Sequence, residues 1–175
     1  MTAPRLQPPG VNASIDAFRR ILRALRLAAR QTQATAGISA AQLHVLQALG
    51  DGEDHSLSQI ALRTMTDRTS VAAVVERLVD GGHVSREPSR LDRRRAAIRI
   101  SARGRSVLRR APTSPAALLV AGMAGLDSRT LASLASSLVA LTDAMGLSDQ
   151  RAGMLFDERE NTPPRAVPRR RASRP

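Results

Sequence analysis

The chain has 175 residues, 42% of them hydrophobic, enough for one domain with a core and a tail. It has no cysteine, which excludes disulfides, thiolate catalysis, iron–sulfur clusters and cysteine redox sensing, and no run of 18 apolar residues that would span a membrane. The formal charge is +12, from 27 basic residues, all arginine, against 15 acidic ones. Phe18 and Phe156 are the two aromatics, so base stacking on aromatic platforms is not expected, and duplex DNA is the better partner for the guanidinium groups.

Residues 1–13 read as a loose arm; Met1 to Gly10 holds three prolines and lacks the apolar stretch of a secretory signal. From Ser14 a helix is expected, with Ile15, Phe18, Leu22, Leu25 and Ala29 in one stripe and Ile21, Ala24 and Ala28 in a second. So wide an apolar face needs more than one partner. Gly37 is a plausible end. Ser39 to Gln42 forms a capping box, opening a helix with Leu43, Leu46 and Leu49 inward. After the loop Gly50 to Asp54, Ser56 to Gln59 forms a second box and a short helix through about Arg63.

Thr64, Met65 and Thr66 make a tight connection. Thr66 is expected to cap a third helix over about 67–80, with Asp67 in its first turn. On a helical wheel Val71, Val74, Val75 and Leu78 fall within about 100° of one another. The opposite face carries Thr69, Ala73 and Glu76, flanked by Ser70, Ala72 and Arg77. A face so small and rich in hydroxyls suits a major groove about 12 Å wide, though a plain surface helix would show the same wheel.

Gly81 and Gly82 end this helix. His83 to Glu87 and Ala96 to Ile100 read as two short strands, and the segment between them holds Arg90, Arg93, Arg94 and Arg95 around Asp92. A cationic hairpin beside such a helix can reach the adjacent minor groove, where arginine is attracted. The charge is concentrated accordingly: residues 56–110 hold thirteen arginines and five acids, net +8, whereas 111–146 hold one arginine and two acids. Ser101 caps a further helix that Pro112 and Pro115 interrupt, and Ser114 with Pro115 marks a fresh start. Asp127 or Ser128 caps the last helix, striped by Leu131, Leu134, Leu138, Leu141 and Met145. Residues 147–175 read as a disordered arginine- and proline-rich tail.

Catalysis and metal binding find little support. His44, His55 and His83 are too far apart for a local metal motif, and the acidic turn around Asp51, Glu53 and Asp54 reads as solvated. No phosphate-binding glycine loop or nucleophile elbow is present, so no catalytic residue, metal or cofactor is expected and the chain is not read as an enzyme.

The order of these elements, and the stretch from Ser56 to Leu108 in particular, resembles the MarR family of winged-helix transcriptional regulators. Four features carry the resemblance: the Leu57-Ser58-Gln59-Ile60-Ala61 entry, the Val74-Val75-Glu76-Arg77-Leu78 helix ending in Gly81-Gly82, the Asp92-Arg93-Arg94 wing, and the Ile100-Ser101-Ala102-Arg103-Gly104 exit. The looser likeness covers about 14–146. It implies a mainly α fold with a small two-stranded β-wing. The winged helix–turn–helix spans about 36–111, and dimerisation helices lie at about 14–35 and 101–146.

The resemblance further implies a cytoplasmic, nucleoid-associated homodimer on a pseudo-palindromic operator, a repressor released by a small-molecule effector. Arg68, Thr69, Ser70 and Ala73 would face the major groove, with Arg77 beside them; Arg94 would enter the minor groove, braced by Asp92. His44, beside the leucine stripe of its helix, is a weak candidate for effector contact and more often a partly buried structural histidine. Pro112 and Pro115 depart from the family, whose helix here is long and continuous, and no tyrosine or tryptophan is available to contact a ligand. The alternative is a weakly specific architectural DNA-binding protein, for which the all-arginine charge and the tail argue.

Overall fold

The computed structural model describes residues 8–88 and 96–156. Seven helices and two strands follow in order: α1 Val11–Ala36, α2 Ala40–Ala48, α3 Leu57–Thr64, α4 Arg68–Asp80, β1 Val84–Pro88, β2 Ala96–Ile100, α5 Ala102–Arg110, α6 Pro115–Ala124 and α7 Ser128–Ala144. The expected fold class holds: mainly helical, with one two-stranded antiparallel sheet.

Local chemistry accounts for the helix starts. Ser39 and Ser56 each accept from the amide three residues on, Gln42 and Gln59, whose side chains accept from the serine amides in return. Ser101 and Ser114 cap α5 and α6 by accepting the Gly104 and Ala117 amides, Asp127 caps α7 by accepting those of Arg129 and Thr130, and Pro115 occupies the first turn of α6, where its missing amide costs nothing. Two helix starts depart from the sequence reading, and β1 lies one residue later than expected, at Val84–Pro88. Helix α1 begins at Val11, ahead of Ser14, because Gly10 at φ 92° turns the chain and accepts the Ser14 amide at 2.9 Å. The cap of α4 is Asp67 and not Thr66: one carboxylate oxygen accepts both the Thr69 and Ser70 amides. A carboxylate meets two free amides with full charge, which the Thr66 hydroxyl, spent on the Thr64 carbonyl at 3.0 Å, does not match.

One core joins α2, α3, α4, α5 and the sheet. Leu43, Val45, Leu46, Leu49, Ile60, Val71, Val74, Val75, Leu78 and Ile98 are fully buried in it. Each such side chain contributes about 1.5–3 kcal/mol on leaving water, so these elements hold one another closed around it. Gly104 allows the tightest approach: a Cβ there would stand 2.2 Å from the His83 carbonyl oxygen.

The remaining helices behave differently. Of the 26 residues of α1, only Leu25, Thr32 and Ala36 are buried. Ile15, Phe18, Ile21 and Leu22 of its stripe stay exposed. No residue of α7 is buried. Between α5 and α6 the chain breaks at Ala111–Ser114, as the two prolines require, and the break is fixed to α2: the fully buried Ser114 Oγ donates to Gln47 Oε1 at 2.7 Å.

The chain also stays packed beyond the point where the apolar pattern fades. Met154, in the segment expected to be a loose tail, is 2% exposed and belongs to the winged core. A single methionine flanked by Gly153 and Leu155 carries no periodicity, so sequence pattern has nothing to register there.

Candidate DNA interface

Helix α3, the turn Met65–Asp67 and helix α4 form the candidate reading end. Met65 closes the turn in the left-handed region at φ 52°, which costs a non-glycine residue about 1–2 kcal/mol and lets α4 leave at a sharp angle to α3. The Thr66 amide donates back to the Ala61 carbonyl at 3.0 Å. Asp67 then fixes the first turn of α4. Besides the two amides, its carboxylate accepts the Ser70 hydroxyl at 2.5 Å, and this bond is the main reason its pKa lies below the usual carboxylate value.

The wheel expected from sequence is the one observed. Val71, Val74, Val75 and Leu78 are fully buried, whereas Arg68, Thr69 and Glu76 are exposed and Ser70, Ala73 and Arg77 are half-buried on the outward side. Burial of the valine face fixes the rotation of the helix, and that rotation turns the hydroxyl and arginine side chains outward. Gly81 and Gly82 end α4, Gly82 at φ 67°, and the His83 amide bonds the Leu78 carbonyl at 2.8 Å.

The sheet pairs Val84 with Ile100 through to Pro88 with Ala96. His55 adds an isolated antiparallel bridge, exchanging both backbone bonds with Ile98 at 3.0 and 2.8 Å, so the loop before α3 steadies β2. Two ion pairs tie the wing to its surroundings. Arg86 Nη1 lies 2.6 Å from Glu76 Oε1 on α4, and Arg99 Nε lies 2.7 Å from Asp54 Oδ1. Neither was legible in sequence spacing, since both cross between elements that only the fold brings together. The bonded Asp54 carboxylate raises the pKa of Arg99 above its usual value. Pro88 and Ala96 are the last paired residues before the wing tip. Arg90, Asp92, Arg93, Arg94 and Arg95 lie outside the described residues.

Two of the histidines, His44 and His55, have structural partners. His44 Nε2 stands 3.3 Å from the Thr64 carbonyl, tying α2 to the end of α3, and burial lowers its pKa despite that bond. In the acidic turn, His55 Nε2 stands 2.9 Å from Asp51 Oδ1, while Arg63 Nη1 donates to Asp51 Oδ2 and to the Ala48 carbonyl, both at 2.6 Å. These neighbours hold the Asp51 carboxyl well below the ordinary carboxylate range. Among the described residues, no group of three carboxylate or imidazole side chains stands in metal-binding array, and no helix is long and apolar enough to cross a membrane.

A tight turn between two helices, a second helix with a polar outward face, and a two-stranded wing behind it define a winged helix–turn–helix. Residues 36–95, which hold the winged unit, match the model of the MarR family. Solved structures extend the likeness over most of the chain. A MarR family transcriptional regulator from Streptomyces coelicolor in complex with DNA is 23% identical, with a TM-score of 0.55 over 86% of this chain and 95% of that one. The PcaV transcriptional regulator of Streptomyces coelicolor, in complex with its natural ligand, is 26% identical, with a TM-score of 0.50 over 83% and 99%. A MepR-like protein complexed with pseudoligands is 16% identical, with a TM-score of 0.54 over 79% and 99%. No curated protein matches the chain. The chain therefore has the fold of the MarR family transcriptional regulators.

Proposed function

We propose that this protein is a homodimeric, sequence-specific regulator that binds duplex DNA, acting as a repressor that a small-molecule effector releases. The observation that carries the reading is the split of α4: one face sealed into the core by Val71, Val74, Val75 and Leu78, the other presenting Arg68, Thr69 and Ser70. In this reading those three, with Ala73 and Arg77, meet the major groove. Arg90, Arg93, Arg94 and Arg95 of the wing tip meet the adjacent minor groove, with Asp92 orienting Arg94. The net +8 of residues 56–110 supplies attraction to phosphate.

Dimerisation is supported by the apolar side chains of α1 and α7 that the single chain leaves uncovered, Ile15, Phe18, Ile21, Leu22, Leu131 and Leu141 among them. Two arms 26 and 17 residues long provide a substantial interface. Effector control is supported by the ligand-bound regulators to which the chain is similar. His44 is our candidate contact, and it would have to give up its bond to Thr64.

The test is selection from a genomic-fragment pool at physiological salt, followed by comparison of the best fragment with random duplex. A preference of about 10³ or more, over an inverted repeat with half-sites one helical turn apart, is expected. A preference of only a few-fold would replace the regulator with a weakly specific DNA-coating protein. Arg94→Ala is expected to weaken binding, and changes at Thr69 or Ser70 to alter base preference.

A further inference from the structure

The stretch after α7 does more than end the chain. Gly146, at φ 69°, turns it, and the Leu147 amide bonds the Thr142 carbonyl at 2.9 Å. Two further turns follow, Gln150 N–H to the Leu147 carbonyl and Gly153 N–H to the Arg151 carbonyl, both at 3.0 Å. The stretch then delivers Met154 into the core that also holds Val71, Val74 and Val75 of α4. A side chain 2% exposed in a stretch with no helix or strand of its own is an anchor.

Three residues before the anchor stands Arg151, which is exposed. Its charge reaches the Asp67 carboxylate at the head of α4 and helps to lower that group's pKa. Asp67 is committed to the Thr69 and Ser70 amides and the Ser70 hydroxyl. The exposed Arg151 side chain leaves its guanidinium fork accessible from solvent. Arg68, the first residue of α4, is exposed at the same end.

We infer that Leu147–Met154 is a clip pinned to the winged domain by Met154, and that Arg151, held by it at the head of α4, is a further contact to the phosphate backbone of bound DNA. The inference rests on the duplex-binding reading above. It separates residues 147–156 from the rest of the tail, because a pinned arginine contributes a contact of fixed place, whereas a loose one contributes only local concentration of charge.

The full-length protein, its Arg151→Gln, Met154→Asp, Met154→Ala and Met154→Leu forms, and Arg68→Gln for reference, are titrated onto a mixed-sequence duplex of about 30 base pairs. Fluorescence anisotropy is followed from roughly 50 to 300 mM salt. Losing one phosphate contact is expected to lower the slope of log K against log salt by about 0.9. Arg151→Gln and Arg68→Gln should each show that drop, with affinity several-fold weaker at low salt. Met154→Asp should reproduce the Arg151→Gln slope, Met154→Ala should move part of the way, and Met154→Leu should keep the parent slope. A parent slope in Arg151→Gln beside a lowered one in Arg68→Gln would leave Arg151 as a charge near Asp67 with no part in DNA contact and overturn the inference. Parent slopes in both Met154→Asp and Met154→Ala would remove the pin. A parent protein with no duplex binding even at the lowest salt would sink this inference and the function proposed above together.

Discussion

The winged unit and the α1, α6 and α7 helices are built from similar residues but close their surfaces in different ways. In the winged unit, short elements of 5 to 13 residues bring Leu, Ile and Val from every side to one core, and Leu62 and Met65 are the large apolar side chains it leaves exposed. In α1 and α7, longer helices carry apolar stripes as regular as any in the core, yet their leucines stay 37% or more exposed at Leu131, Leu141 and Leu22. Periodicity therefore says that a face will be buried, and not by what. A short helix turned into a shared core finds its cover within the chain; a long arm leaving that core needs cover from elsewhere.

Four measurements break or sharpen this contrast. The largest effect is expected at Leu78→Ala, where a fully buried side chain on α4 leaves a cavity: about 2–5 kcal/mol of stability lost in urea unfolding, with DNA binding lost alongside. Next is Ser114→Ala at the joint between the two regions. It removes the α6 cap and leaves Gln47 Oε1 without its donor, for a loss of about 1–2 kcal/mol. A smaller loss would mean that the joint is held by packing alone.

The third concerns pH. Burial lowers the pKa of His83, with Arg103 adding to the effect, and burial also lowers that of His44, both from an ordinary value of 6.5. The folded state thus binds fewer protons than the unfolded state once pH drops toward 6.5. Stability is full above that value and falls as pH passes below it toward the depressed folded values. Thermal unfolding between about pH 8 and 5 should show this decline, and His83→Gln should flatten it. The smallest effect on folding is expected at Leu22→Ala with Leu141→Ala: under about 0.5 kcal/mol for the winged unit. In the proposed dimer each truncation is felt twice across the two-fold axis, so sedimentation should show self-association weakened about tenfold or more. Unchanged association would send the search for cover of α1 and α7 to a partner other than a second copy.

Much of the reading end was legible because its signals are local. The Ser39 and Ser56 capping boxes, the valine face of α4, the Gly81–Gly82 stop and the Ser114–Pro115 restart each lie within a few residues, and each fixes one boundary. Two helix starts escaped for reasons equally local. Gly10 can cap a helix without a side chain, which no residue pattern marks, and Asp67 competes with Thr66 for a role either can fill. The ion pairs Arg86–Glu76 and Arg99–Asp54 and the burial of Met154 were not legible at all. They join positions that are 10 residues or more apart, and only the closed fold brings them together.

The break at Ala111–Ser114 has a mechanical consequence. One unbroken rod would carry any tilt of the outer helices straight to the reading end. Here α5 stops at Arg110 and α6 starts at Pro115, and the single side-chain bond from Ser114 to Gln47 sits at the elbow. Such an elbow works as a hinge with a latch. While the latch holds, α6 and the winged unit would turn together; in the proposed dimer, opening it would free the spacing between the two winged units to follow the groove of a bound duplex.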